Sequence, residues 1–519
     1  MSSGVESRSP NLRRNAIANI AGRAASAVLW IAVTPYALRQ LGQERFGVWA
    51  LFFVLSGYLG VLDLGMSGGV GRFIAVAVAR DYRAEARRAI LRSLALSVSL
   101  GLLWCVACVV GRGPFLTFFH VPEVWAPEVS RSLAIFGFSL LILSVAQVLQ
   151  YSLIGFQRFD LWNLYYLVGL VVNATLLVVG LAMGRGLIAA ACAAVAGQAV
   201  VGFLAARSVR ACLRRVADKP GGGEGASWRE LLRFGAMVQA SSAFSVGQMQ
   251  AGKVMLGALG RLAWVTQFEL AFRVTNGFWA LPVLIQGAAY PAAAQAHEVG
   301  GNEQVREVYA WCCRWVFSLA GLILGLVWLI APALFRLWLG EGHPVAASAA
   351  RWLAIAFAMS TLAGPATAIA RGIGAPVLEV LNFAVAFVLN LLLGLWFIPR
   401  LGPDGAAMAM AVSFAVAAAC LLSVLHRRLG ISTAAWLLRT AGPRLLPAAL
   451  VAGALWLAVW RWPLDSRPQS LAAVFVESLL FTFLYVAVTW PTGDARAVWA
   501  RGRAWLARRA GGVGAARTP

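Results

Sequence analysis

Leu94 to Val110 reads LALSVSLGLLWCVACVV, seventeen residues with neither a charge nor a proline. A hydrocarbon core about 30 Å thick needs about 20 mostly apolar helical residues to cross it. The stretch sits inside a segment of that length, 89–111, and comparable segments recur along the chain. Reading outward in both directions predicts about fourteen of them by the same length criterion: 15–38, 46–79, 89–111, 131–155, 163–184, 187–207, 234–258, 264–290, 308–331, 351–370, 377–398, 405–425, 445–462 and 470–490. Only helices and closed barrels satisfy their backbone in lipid, and these segments are too long for barrel strands. The expected fold is therefore an all-α polytopic membrane bundle. The 519 residues agree, with 60% hydrophobic, 13% charged and a mean hydropathy of +0.75. An ordinary soluble domain carries roughly 25% charge, so a cytosolic enzyme, a disordered chain and a secreted disulfide scaffold are all excluded. The first apolar region, 16–38, is longer than the 7–15 residues usual for a signal-peptide core and reads as the first span.

The charge is lopsided. Lys and Arg total 44 against 21 acidic residues, a net +23. In a soluble protein that excess points to nucleic acid. In a membrane protein it reflects basic loops held on the cytoplasmic side. With the N-terminus placed in the cytoplasm, roughly 29 basic residues fall on that side and about 11 on the other, as the positive-inside rule requires. They cluster at Arg8 to Arg14, Arg80 to Arg92, Arg207 to Arg233, Arg427 to Arg444 and Arg496 to Arg517. Both termini are expected in the cytoplasm, and nucleic acid drops out as a partner. Seven cysteines and four histidines are scattered, so no metal or other cofactor site is read. The pair Cys105 and Cys108 lies within the opening stretch and reads as apolar packing.

One conspicuous linker, 207–233, holds Lys219-Pro-Gly-Gly-Gly-Glu-Gly, a flexible composition. It separates a first six-helix half (1–206) from a second (234–426). Two extra helices (427–490) and a basic tail (491–519) follow. The halves echo each other weakly. Asn173 precedes Gly184-Arg-Gly186 much as Asn390 precedes Gly402-Pro-Asp-Gly405, and Ile154-Gly155 through Arg158 resembles Ala370-Arg371-Gly372-Ile-Gly374. Internal repeats of this kind accompany alternating access. Gly180/Gly184 and Gly321/Gly325 have the spacing of close helix crossings. Residues 494–510 segregate Val498, Trp499, Trp505 and Leu506 from the arginines. That pattern suits a helix lying on anionic inner-leaflet lipids, although a disordered basic tail is the alternative.

An ionisable group at the bilayer centre costs at least about 2.5–3.5 kcal/mol, so those inside spans are candidates for function. Arg23 lies among small residues in the first span. Asp63 lies in the second. Lys253 continues a polar stripe in the seventh. Glu269, Arg273 and Asn276 share one face of the eighth, with Glu269 four residues before Arg273, the favourable order for a pair. Asn173 and Asn390 add uncharged polar groups. Arg23, Lys253 and Arg273 together suit an anionic phosphate head group. Each also has a plainer reading. Arg23 and Lys253 are near enough to an interface to snorkel, and Glu269 with Arg273 serves equally well as a structural pair. Asp63 serves as well in a pair or as a cap before Gly65.

Pro35-Tyr-Ala-Leu38-Arg-Gln-Leu41-Gly42-Gln-Glu-Arg-Phe46-Gly47-Val-Trp49, followed by Leu62-Asp63-Leu64-Gly65, resembles the bacterial polysaccharide (O-antigen, Wzx-like) flippase family. That family belongs with the multidrug/oligosaccharidyl-lipid/polysaccharide exporters. The resemblance implies two six-helix bundles in a V with two helices appended. It also implies a transporter, not an enzyme, in the bacterial cytoplasmic membrane beside the polysaccharide assembly machinery. Its cargo would be an undecaprenyl-diphosphate oligosaccharide moved to the periplasmic leaflet, for O-antigen, capsule or exopolysaccharide synthesis. Proton or sodium coupling is left open, and the seventh span lacks the acidic coupling residue of some relatives. Asp63, Glu269, Asn276, Asn173 and Asn390 are the coupling or structural candidates. The alternatives are a multidrug or small-molecule antiporter of the same superfamily and a membrane polysaccharide polymerase or ligase. An antiporter of cationic drugs would favour acidic cavity residues. A polymerase would be expected to carry a large outer loop.

Overall fold

The computed structural model describes residues 10–62, 66–217, 228–340, 343–459 and 466–492. The described residues are helical between short turns, and ten helices are long and apolar enough to cross a membrane. The chain is a multi-pass membrane protein. Among the described residues each predicted span falls largely on helix; the end of the thirteenth, 460–462, lies outside them. The predicted second span is helical over 43–62 and Met66–Ala79; Asp63 lies outside the described residues, as do the centre of the linker and the tail.

Two helical runs exceed any single span. Leu262–Leu339 has 78 residues, which at 1.5 Å per residue would be about 117 Å of straight helix. It breaks at Gly301 (φ 59°, ψ −147°). Pro10–Leu62 breaks at Gly42 (φ 73°, ψ 167°) in the same way. Both conformations lie where a Cβ is strained and glycine is not.

By contacts the chain divides into two compact units, Met1–Glu269 and Leu270–Pro519. In the first, the Ala126–Gly155 helix packs on Gly186–Arg215 and Arg83–Val110, and Phe159–Ala182 packs on Gly186–Arg215. The Pro10–Leu62 run and the Met66–Ala79 helix both meet Trp228–Ala258. In the second, Pro344–Gly372 and Val377–Leu401 both pack on Pro403–Leu429, and Gly442–Val459 packs on Arg467–Thr489. Small residues permit these crossings. Gly169 stands where a Cβ would meet the backbone of Gly197, and Gly137 stands against Cys108, so that cysteine does serve packing.

The turns carry an internal repeat. Positive-φ residues at Gly42, Asp81, His120, Gln157 and Gly184 recur at Gly260, Gly301, Gly340, Gly374 and Gly402, in the same order and at nearly constant separation, while Gly186 and Gly430 fall outside the pattern. The turn after Gly155 holds an Arg158–Asp160 ion pair at 2.9 Å, and the turn after Gly372 is clamped by Arg371 and Glu379. The Asp160 carboxylate raises the pKa of the Arg158 guanidinium above its ordinary value through their hydrogen bond. Gly184 lies in such a turn with open space around it, so its GxxxG spacing with Gly180 is not a crossing. Gly321 and Gly325 are one: a Cβ there would strike Tyr485 and Phe481.

Candidate functional site

The site grows from the hairpin that joins Trp228–Ala258 to the helix starting at Leu262. Gly260 takes a left-handed φ of 70°, and Arg261 stacks over Trp264 at 4.2 Å. Antiparallel helices leaving so tight a turn bring residues at similar distances from it face to face. Lys253 and Glu269 stand seven residues before and nine after Gly260, and they meet with Nζ 2.6 Å from Oε2. Both side chains are almost wholly enclosed, at 3% and 5% exposure. Gln248 and Gln267 are buried on the same two helices, and the Gln250 amide lies half-buried nearby. The hairpin therefore buries a polar patch in an otherwise apolar bundle. A buried ion pair persists only when charges compensate, because the loss of either partner leaves an isolated charge in low dielectric.

The helix 43–62 covers this hairpin closely. A Cβ on Gly47 would lie 2.2 Å from the Leu262 carbonyl oxygen, and one on Gly57 would touch Val246 and the Gln250 amide. The Thr266 hydroxyl donates to the Gln43 carbonyl. The break at Gly42 frees the Leu41 carbonyl, and Arg45 Nε donates to it at 3.0 Å. Arg45 also stands 3.5 Å from Glu128, whose Oε1 accepts from the Leu187 amide at 2.7 Å and caps the Gly186–Arg215 helix. These contacts fix one end of the first unit around the hairpin.

The other expected site residues are placed less closely. Arg23 is on the helical run 10–41, and its side chain lies outside the described residues. Arg273 and Asn276 are half-buried on the second unit. Next to them Thr275 is buried, and Trp279 stacks on Phe357 at 4.9 Å while donating to Thr361 at 3.3 Å. Asn173 is half-buried against Gly197, and Asn390 is buried at the equivalent place in the second unit. The sequence points Glu269 toward Arg273, four residues on; the structure also gives it Lys253, across the hairpin. Sequence reading did not single out the glutamines at 248, 250 and 267, because an amide carries no charge that demands a partner. Their signal was spacing about the Gly260 turn. Among the described residues, no group of three His, Cys, Asp or Glu could hold a metal.

Polar groups buried inside a repeat-built helical membrane bundle define a class, that of multi-pass proteins with a membrane-embedded polar site. Within it, residues 12–297 match the family described as "Polysaccharide biosynthesis protein". The chain belongs to that family. A "Putative O-antigen transporter" of Shigella flexneri is 22% identical over 151 residues, 29% of this chain and 36% of that protein. The chain spans about a third or less of the length of the curated relatives it matches. In fold it is similar to the lipid II flippase MurJ in an inward closed conformation (TM-score 0.65, 11% identity, covering 91% of this chain and 98% of MurJ). It is equally similar to a multidrug resistance MATE family transporter of the MOP superfamily in an inward-facing conformation (TM-score 0.65, 18% identity, 79% and 94% covered).

Proposed function

We propose that this chain is a flippase that moves an undecaprenyl-diphosphate-linked oligosaccharide from the cytoplasmic to the periplasmic leaflet by alternating access. The observation that carries the reading is the enclosed Lys253–Glu269 pair within its glutamine-rich patch. In this reading Lys253, with Arg23 and Arg273, receives the diphosphate. A diphosphate carrying two negative charges outcompetes one carboxylate for an ammonium, so arrival of cargo draws Lys253 from Glu269. The glutamines offer the donors and acceptors that sugar hydroxyls require, while the prenyl chain remains in lipid. The positive-φ turns repeated along the chain support two related halves, 1–206 and 234–426, that rock to give alternating access. The protein then sits in the bacterial cytoplasmic membrane with both termini inside, delivering to the polysaccharide assembly machinery. A proton or sodium gradient or the membrane potential drives it. Because Glu269 is neutralised by Lys253, the patch does not carry the net negative charge that a site for cationic drugs needs.

The test is replacement of Arg23, Lys253 and Arg273 singly by alanine, with membrane levels confirmed and surface polysaccharide measured. Each variant should lose polymer. Full polymer in all three would reject the cationic site.

A further inference from the structure

The Arg83–Val110 helix is joined to Ala126–Gly155 by a segment that holds the short helix Arg112–Phe118 and a turn at His120. This strap reaches the hairpin of Lys253 and Glu269. Gly257 follows Lys253 by one helical turn on the same face, and it is buried. A Cβ on Gly257 would lie 2.7 Å from the Phe119 ring and 3.2 Å from the Leu51 side chain. At the hairpin tip, a Cβ on Gly260 would lie 3.0 Å from the His120 Cβ. Phe119 continues a file of rings. It stands 4.7 Å from Phe115, which stands 6.1 Å from Phe52, itself fully enclosed on the helix 43–62. An aromatic layer therefore covers the turn end of the polar patch.

The two covers of the hairpin are held differently. The helix 43–62 is fastened by the Thr266 hydroxyl on the Gln43 carbonyl and by the backbone contact at Gly47. The strap is not fastened. Among the described residues, the hydrogen bonds of 112–121 close within the strap or on the helix before it. Phe119 N donates to the Phe115 carbonyl at 3.1 Å, Val121 N to the Leu116 carbonyl at 2.9 Å, and Arg112 Nε to the Val109 carbonyl at 2.7 Å. Against the hairpin the strap sets a ring and an imidazole edge on two glycines, which offer no side chain to hold them. Lifting it leaves no backbone group without a partner, so only apolar contact opposes the motion. At the matching place in the repeat, the second unit runs on as helix to Leu339 before turning at Gly340.

We propose that the strap 112–121 is the outer gate of the Lys253 site and that Phe119 is the residue that seals it. The role in transport rests on the flippase reading above; the motion itself does not. The observed state is the closed one, with Lys253 and Glu269 enclosed. When the strap lifts from Gly257 and Gly260, the turn end of the patch opens while the helix 43–62 stays bound to the hairpin. Cargo then leaves on the strap side.

Leu51 is 1% exposed and lies where Phe119 meets Gly257, so Leu51→Cys reports opening. Spheroplasts bearing the full chain are treated with a membrane-impermeant maleimide, and labelling is read peptide by peptide by mass spectrometry. Residue 51 should label while the strap is free. A disulfide between His120→Cys and Gly260→Cys tethers the strap, since 3.0 Å is within a small shift of the usual Cβ separation of about 3.5–4.5 Å. Tethering should slow labelling about tenfold or more, because a reagent that reacts with an opened state follows that state's population. Reduction before labelling should restore the rate. Phe119→Ala should label faster than the wild-type strap, and it decides the matter if the double variant does not accumulate. In cells the tethered chain should lose surface polysaccharide and regain it on reduction. Equal labelling of tethered and free straps, no labelling of the free one, or a Phe119→Ala no faster than wild type would overturn the proposal. So would full polymer from a chain shown to be tethered. Labelling needs no cargo, so a wrong cargo assignment would leave that result standing.

Discussion

Lys253 and Glu269 show what burial does to a charge. In water such a pair contributes little; enclosed as here, each needs the other. Lys253→Met should lower unfolding stability by about 3–5 kcal/mol, because Glu269 then stays buried without its countercharge. The double variant Lys253→Met with Glu269→Gln should recover much of that loss. Thermal unfolding of the purified protein in detergent checks both. Equal losses in the single and double variants would show that packing, not charge compensation, is at stake. Lys253 and Glu269 were each visible in the sequence as costly intramembrane charges. Their pairing was not, since a single helix offered Glu269 a nearer cation in Arg273.

Among the elements, the long run 262–339 depends on one residue to become two helices. Gly301 has a left-handed φ, and a Cβ there would have open space, so substitution meets no clash and tests conformation alone. Gly301→Ala should cost about 1–2 kcal/mol, and Gly301→Asn should cost about as much, because φ 59° with ψ −147° lies outside the left-handed basin that asparagine tolerates. Gly47 presents the opposite case. Its φ is ordinary, but a Cβ would collide with the Leu262 carbonyl. Gly47→Val should therefore cost more than Gly301→Ala, of the order of 1–3 kcal/mol, because backbone must move. Unfolding transitions of the three variants side by side check this ranking. Hydropathy found the helices on either side of Gly301 and around Gly47, but it placed the ends that flank Gly301 at 290 and 308, well short of the break itself. It could not separate a glycine needed for its turn, such as Gly184, from one needed for a crossing, such as Gly321, because both satisfy the same four-residue spacing.

For the whole molecule, the basic loops predict a sidedness that reporter fusions can measure. A phosphatase active only outside the cytoplasm should be silent when fused after residue 220 or at the C-terminus, and active when fused after residue 120. Activity at 220 with silence at 120 would invert the topology and, with it, the proposed direction of transport. The sequence by itself determined the solvent, the helical class and the approximate spans, because lipid forces every backbone polar group into local hydrogen bonds and leaves a hydropathy imprint about 20 residues long. It also held the repeat, through Asn173 and Asn390 and the glycines near them. Only the tertiary structure decided which charges meet. Lys253 found Glu269 across a hairpin, and Arg351 found a carbonyl orphaned by Pro332 on another helix. Such contacts depend on how helices rotate and cross, which packing sets through small local clearances and which no periodicity along one strand of sequence records.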